Sequence, residues 1–407
     1  MTNHLLSDVF VWLVIVLCCM GTLYAVIAAV AMPFFNSFRS SGRGFASSRG
    51  VASSVTVLKP LCGIEPRLYE NLATFCEQAH PCYQLVFGVA SPVDPAIAVV
   101  RRLQSAYPQQ DIELVIDVRV HGRNLKISNL INMAERARHD IVVLADSDIA
   151  VEPDYLSSVT APLANRDIGV VTCLYWAQSV GGFWPRVGAL FINEWFAPSV
   201  RVAHAGGSRR FGFGATLALR RTTLAEIGGF DALKDCLADD YWLAERARSL
   251  GLHTVLSPVM VATDVIEPTF TALWLREMRW LRTIRSVNPF GFGGLFITFT
   301  SPWLLTGALL AHNVHHGGAA HPLMGLMALS STVTGVVARV LLHARSARFS
   351  RTFWRDLPLV PLRDTLLALQ WLGATFGSHV VWRGAQIPVI NRVAQTRTSM
   401  MGISDGE

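Results

Sequence analysis

Residues 141–148 read IVVLADSD, an unbroken apolar run that ends in two carboxylates, Asp146 and Asp148, one serine apart. Such a pair repels itself and loses hydration when buried, unless a cation or a cationic ligand stands between the two groups. Alone, D-S-D is an ordinary surface turn, because Asp and Ser are good turn residues. A second acidic pair, Asp239 and Asp240, sits in CLADDYWLAERARSLG, residues 236–251. Leu237, Tyr241, Ala244 and Ala247 share one helical face there, so the two aspartates fall in the first turn, where the helix dipole favours anions. Helix charge complementarity is the plain explanation of that pair, and general acid–base work is the chemical one. A third stretch, LWLREMRWLRTIR (273–285), is basic and amphipathic and contains R-x-x-R-W in Arg276, Arg279 and Trp280. Trp and Arg anchors also suit a helix lying at a membrane surface. The imidazoles of HNVHH (His312, His315, His316) could bind a metal, but are read as the polar cap of a membrane hairpin.

The composition explains why a membrane enters the argument. Of 407 residues, 51% are hydrophobic and 16% charged, too apolar for an ordinary soluble chain. The excess is local. Residues 9–35 carry no charged side chain, enough to cross a bilayer. No basic residue precedes them and the run exceeds a signal core, so it is read as a retained anchor. Further apolar segments lie at 290–311 and 322–342, with a weaker one at 366–382. The expected organisation is an anchor at 9–35, a catalytic domain at 51–270 and an interface helix at 271–289. A membrane block of two or three segments at 290–385 and a tail at 386–407 follow. Arg39, Arg43 and Arg49 follow the anchor, and Arg345, Arg348, Arg351 and Arg355 follow the third apolar segment, which places both loops in the cytoplasm. The weak segment conflicts with that rule if it spans, because Arg383, Arg392 and Arg397 would end outside; it is expected to re-enter or lie in the interface. The net charge of +6 clusters beside these segments, so anionic lipid, not nucleic acid, is the expected partner. Seven cysteines without a C-x-x-C pair suit a reduced compartment. Residues 37–50 read as a linker.

Between the apolar segments, strands and helices alternate. Residues 55–59, 84–90, 112–116, 141–145 and 168–174 read as strands. Helical spacing follows the first at Leu68, Leu72, Phe75 and Cys76, and the third at Ile127, Leu130, Ile131 and Ala134. The pattern predicts an α/β domain with a mostly parallel sheet covered on both faces. Ligands of such sheets bind beyond the carboxyl ends of the strands, where Asp146 and Asp148 stand. Neither G-x-G-x-x-G after the first strand nor G-x-x-x-x-G-K-[ST] is present, so dinucleotide and P-loop readings lack their phosphate loops. An acidic pair can instead hold a hard divalent ion, which in turn holds a nucleotide diphosphate.

In this order, a strand-end aspartate, D-x-D, an acidic pair and R-x-x-R-W resemble the membrane-bound family 2 and family 21 glycosyltransferases of GT-A fold. VLKPLCGIEPRLYENLATF, KISNLINM, LADSDI, FGATLALRR, GGFDALKDCLADDY and REMRW look like the ceramide glucosyltransferases and, within that circle, the bacterial hopanoid-biosynthesis-associated glycosyltransferases. The resemblance covers residues 55–285, with a weaker likeness at WRG (382–384). One departure stands out: VASPVDP has Ser91 where the family carries its first aspartate, leaving Asp94 to contact the nucleotide base or merely cap the next helix.

The resemblance implies a UDP-sugar donor, inversion at the anomeric carbon and a membrane-lipid acceptor. The lipid would be a hopanoid polyol such as bacteriohopanetetrol receiving N-acetylglucosamine, or a ceramide receiving glucose. It implies Asp240 as the base beside Asp239, Mg²⁺ or Mn²⁺ at Asp146 and Asp148, and Asp94, Lys126, Asp146, Arg276, Arg279 and Trp280 around the donor. The bacterial inner membrane, with catalysis on its cytoplasmic side, is the expected location. A transporter has too few spans here to compete, and a non-catalytic scaffold has only Ser91 in its favour.

Overall fold

A computed structural model describes residues 2–40, 53–316, 322–377, 379–382 and 385–388. Arg43, Arg49, most of the expected linker, the Arg383, Arg392 and Arg397 tail, part of WRG and the His315 and His316 side chains lie outside the described residues.

One eight-stranded sheet organises the central domain. Its strands are β1 (Val55–Pro60), β2 (Tyr83–Val89), β3 (Asp111–Ile116), β4 (Ile141–Leu144), β5 (Ile149–Ala150), β6 (Ile168–Ser179), β7 (Leu217–Arg220) and β8 (His253–Val265), in the spatial order β3-β2-β1-β4-β7-β6-β8-β5. Every residue of β2 and of β4 is buried, as continuous apolar runs require when both sheet faces are covered. Side chains alternate between two cores. Val57, Leu85 and Phe87 pack with Phe75 and Tyr155 on one face, while Leu58 and Val86 pack with Leu130, Leu219 and Leu243 on the other.

The expected α/β class is present, but the sheet is more mixed than the alternation of elements suggests. β1 to β4 are parallel and β6 is parallel to β8; β7 is antiparallel to both of its neighbours, and β5 to β8. β7 departs because it is no crossover strand. It is entered from Gly214, whose carbonyl accepts the N–H of Asp146 at the end of β4 at 3.3 Å. The antiparallel insertion thus carries a backbone turn to the carboxyl end of the parallel half, where ligands are expected.

Two helices are long and apolar enough to cross a membrane, Val9–Ala31 within Thr2–Ser40 and Pro322–Arg348 within Pro322–Ser350; a third span is counted if Pro289–Thr298 and Thr300–Val314, bent by 48°, act as one. The two long helices touch through polar groups: Thr22 Oγ1 lies 3.0 Å from Ser331 Oγ. The 290–311 segment is thus broken, at Phe299, just before a helix with Pro302 in its first turn. The weak segment is a helix, Leu359–Thr375, that begins earlier and ends earlier than its apolarity suggests, followed by a hairpin of His379–Trp382 with Ala385–Pro388. Its buried stripe includes Arg363, Asp364 and Gln370. Asp364 accepts from Arg339 of the second long helix (2.9 and 3.2 Å) and from Ser301 (2.6 Å), and Arg339 also reaches Glu194 (2.7 Å) in the π-helical turn Phe191–Phe196. Buried ion pairs therefore tie the membrane block to the central domain.

Candidate active site

All nine residues singled out as site candidates line one cavity of about 610 Å³: Asp94, Lys126, Asp146, Asp148, Asp239, Asp240, Arg276, Arg279 and Trp280. It lies beyond the carboxyl ends of β1, β2 and β4, and the helix Phe270–Val287 forms one of its walls.

The two acidic pairs meet through Lys126. This side chain stands in the first turn of Leu125–Ala134, a helix capped by the Asn124 side chain accepting the Ile127 N–H. Its Nζ is 2.6 Å from Asp146 Oδ1 and 3.5 Å from Asp239 Oδ2. Burial alone would lower the Lys126 ammonium, but Asp146 and Asp239 outweigh it and hold it above its ordinary value. Asn124 also donates to Asp239 Oδ1 at 3.1 Å. Asp239 is therefore held by a cation and an amide, while its neighbour is held differently. Asp240 accepts the backbone N–H groups of Gly214 (3.0 Å) and Tyr241 (2.8 Å). Burial, then the Asp239 charge, push its carboxyl up to about 6 despite Lys126. A carboxylate poised there is ionised near neutrality yet basic enough to take a proton.

Asp148 accepts from Thr263 Oγ1 of β8 at 2.7 Å. Burial, Asp146 and Glu65 push its carboxyl up to about 7, a sign of uncompensated negative charge. A hard dication would remove that excess, so the two carboxylates fit Mg²⁺ or Mn²⁺ held by one or two protein oxygens with diphosphate and water completing the shell. Among the described residues no group of three or more His, Cys, Asp or Glu forms a protein-only metal cage, and His312 belongs to no such group.

The opposite wall is cationic. Arg276 donates to Glu267 at 2.6 Å and rests 5.1 Å from the Trp280 ring, while its Nε and Nη2 find no hydrogen-bond partner among the described residues. Burial and the neighbouring Arg276 lower the Arg279 guanidinium. Two arginines pressed together against a cavity suit an anionic ligand, with a diphosphate matching their fork geometry.

Asp94 is occupied by backbone. Its carboxylate accepts the Gly63 N–H (3.0 and 3.1 Å) and the N–H of Ala96, the first residue of Ala96–Ala106 (2.9 Å). It thus caps that helix and also fixes the loop after β1, where Gly63 has φ +74°. Ser91 lines the cavity and accepts the Val93 N–H at 3.3 Å.

Two site residues escape the motif reading. Lys59, fully buried at the end of β1, donates to the carbonyls of Asp146 (2.8 Å) and Ile149 (3.5 Å) and lies 3.6 Å from the Phe75 ring centre. It pins the turn that bears both aspartates, and burial pushes its ammonium down to about 7 against the pull of Asp148 and Asp146. A lysine inside an apolar strand was the available signal. Gly214 bonds Asp146 with its carbonyl and Asp240 with its N–H; a Cβ there would stand 2.7 Å from Asp146 Oδ2 and 3.2 Å from Lys126 Nζ. Its place in FGATLALRR hinted at a role without giving the reason.

Comparison with known proteins gives three findings. The model of the family described as "Glycosyl transferase family 21" matches residues 13–392. Ceramide glucosyltransferase 1 of Caenorhabditis elegans is 26% identical over 236 residues, 58% of this chain and 50% of that protein; ceramide glucosyltransferase of Komagataella phaffii is 31% identical over 120 residues, 28% and 24% respectively. The chain spans about half the length of the C. elegans relatives it matches. Among solved structures, the mannosyltransferase PcManGT from Pyrobaculum calidifontis, in complex with GDP-Man and Mn²⁺, aligns at 18% identity and a TM-score of 0.47 over 88% of this chain and 97% of its own.

Proposed function

Because the chain belongs to glycosyl transferase family 21 and sets a GT-A-type α/β domain beside membrane-length helices, we propose that it is an inverting hexosyltransferase moving a sugar from a UDP-sugar to a membrane-lipid hydroxyl. The observation that carries this reading is the single cavity in which a poised carboxylate, Asp240, faces a wall of arginines across a carboxylate pair. In direct displacement, the acceptor oxygen attacks the anomeric carbon as Asp240 takes its proton, and the bond to UDP breaks on the opposite side of the sugar. The two backbone N–H groups on Asp240 orient its carboxylate. Arg276, Arg279 and Lys126 meet the charge that grows on the departing diphosphate. A divalent ion at Asp146 and Asp148 supplies further neutralisation of that charge when bound. Trp280 offers the sugar or the lipid an apolar face.

The acceptor is assigned to a hopanoid polyol such as bacteriohopanetetrol and the donor to UDP-N-acetylglucosamine, on the strength of KPLCGIEP, KISNLINM and GGFDALKDCLADDY. A specific observation favours a second reading: the curated relatives are ceramide glucosyltransferases, so a ceramide primary hydroxyl receiving glucose is the alternative. The arginines that follow the long helices support a cavity on the cytoplasmic side, and the hopanoid-associated resemblance supports a bacterial inner membrane. The test offers detergent-purified full-length protein each lipid with each UDP-sugar and weighs the products. Glucosylated ceramide with untouched bacteriohopanetetrol would reverse the acceptor assignment; no UDP release with any lipid would sink the transferase reading.

A further inference from the structure

The helix Phe270–Val287 turns Arg276, Arg279, Trp280 and Thr283 to the cavity and buries Glu277 on its other side. Glu277 is fully buried and its charge is answered from outside the catalytic domain. Arg363 Nη1 and Gln370 Nε2, both on the helix Leu359–Thr375, donate to Glu277 Oε2 at 2.8 Å each, and Arg363 Nη2 reaches Gln370 Oε1 at 2.5 Å. Arg363 is itself fully buried. The second carboxylate oxygen, Glu277 Oε1, makes no hydrogen bond among the described residues; Arg276 Nη2 forms a long ion pair with it at 3.9 Å and likewise has no hydrogen-bond partner among them.

The spacing is the informative part. Arg276 sits between two carboxylates, bonded to Glu267 and held just beyond hydrogen-bond reach of Glu277. A buried carboxylate that loses its partner must recover one or pay a desolvation penalty of several kcal/mol, and the nearest unused donor would be Arg276. Resting on the proposed donor role of Arg276, we infer that Arg363 is a positioning residue: it occupies Glu277 so that Arg276, whose unbonded Nε and Nη2 are buried, keeps its bond to Glu267 and its place on the cavity wall where the donor diphosphate would bind. Arg363 is itself placed by the membrane block, since the adjacent Asp364 is clamped by Arg339 and Ser301. Arg285 further joins the two helices by donating to the Ala374 carbonyl, and Arg282 donates to the His379 carbonyl in the hairpin that follows. The region after the last long helix thus sets the donor site from behind.

The test is titration of UDP into detergent-purified full-length protein, together with donor kinetics. Arg363→Met is expected to raise the UDP Kd and the donor KM about ten- to hundredfold, the worth of one charged hydrogen bond. Adding Glu277→Gln to that variant removes the competing charge and is expected to restore donor affinity even though Arg363 is still absent. A scaffold role alone would restore KM only together with thermal stability, since neutralising Glu277 also relieves its burial cost; capture of Arg276 is distinguished by a KM change in Gln370→Leu at unchanged Tm. Gln370→Leu, a milder change that removes one donor to Glu277, is expected to raise KM in the same direction, which keeps the test decisive if Arg363→Met does not accumulate. Wild-type affinity in both Arg363→Met and Gln370→Leu, or a loss that Glu277→Gln leaves untouched, overturns the inference. Wild-type protein that binds no UDP overturns instead the functional reading on which it rests.

Discussion

Lowering the pH is expected to halve transfer near pH 6, well above the value of about 4 at which an ordinary aspartate is protonated. The group concerned is Asp240, whose carboxyl is pushed up to about 6 by burial first and the Asp239 charge second, with Lys126 and the Tyr241 N–H pulling the other way and Asp146 adding to the rise. Tyr175 and Arg279 also sense its charge across the cavity. A base works ionised, so activity is full above this value and falls as pH drops through it. At pH 5 roughly a tenth of the enzyme would carry the competent carboxylate. The assay is the profile of kcat/KM against pH, which reports the free enzyme. Asp240→Asn tests the same group without changing its shape. The amide keeps one oxygen for either Gly214 or Tyr241 but turns its NH₂ toward the other N–H, so one of the two bonds, 3.0 and 2.8 Å, is lost. Folding is expected to tolerate that loss of about 0.5–1.5 kcal/mol, while the rate falls by about 10² to 10⁴. UDP affinity, set by the arginine wall, is expected to change little. An acid limb near pH 4, or an Asp240→Asn variant with wild-type turnover, would refute the reasoning and move the base elsewhere.

Removal of divalent metal by EDTA is expected to abolish activity and added Mg²⁺ or Mn²⁺ to restore it, whereas Asp148→Ala stays inactive at any metal concentration; EDTA-resistant turnover would return the aspartate pair to a structural turn. Lys59→Met orphans two buried carbonyls, at a cost of about 1–3 kcal/mol for each. It is expected to lower the Tm and to raise the metal concentration needed for half-maximal rate, the second effect being the one that distinguishes a loosened aspartate turn from a weaker core. Gly214→Ala places a methyl 2.7 Å from Asp146 Oδ2 and 3.2 Å from Lys126 Nζ; kcat is expected to fall at least about tenfold with the far-UV circular dichroism unchanged, and a fully active variant would show that the Asp146–Lys126 pair can move freely.

The legible part of this molecule is the part written in periodic patterns. The buried strands β1, β2 and β4 are continuous apolar runs, and a run ending in two aspartates gave both the strand and its chemical end. The R-x-x-R-W helix and the acidic helix start were legible for the same reason, because helical spacing fixes which side chains share a face. β7 was not, since the four residues LALR do not announce their direction; only the contacts of Gly214 show why the strand must be antiparallel. Lys59 was hidden by composition, reading as a flaw in an apolar strand although its ammonium holds the aspartate turn. The helix Leu359–Thr375 was legible only in part. Its apolar residues suggested a segment that re-enters or lies in the interface, but not that Arg363, Asp364 and Gln370 occupy the buried stripe, where partners distant in sequence supply what a bilayer could not.

That buried stripe bears on why membrane and catalytic parts would share one chain. A lipid hydroxyl can reach the cavity without leaving the bilayer only if the cavity mouth is fixed in depth. Phe290, Trp354 and Leu275 stand 94%, 82% and 52% exposed. Such apolar exposure is unfavourable in water and would suit a lipid interface. Leu275 lies on the same helix, Phe270–Val287, as Arg276, Arg279 and Trp280, so on the proposed function depth and donor grip would belong to one element. Its back is bonded to Leu359–Thr375 through Glu277, and that helix to the second long helix through Asp364 and Arg339. Each link is a buried ion pair, which is costly to break and tolerates little sliding. A soluble catalytic domain cut from these helices would lose the carboxylate's partner as well as its membrane, and so would be impaired toward water-soluble donor and lipid acceptor alike.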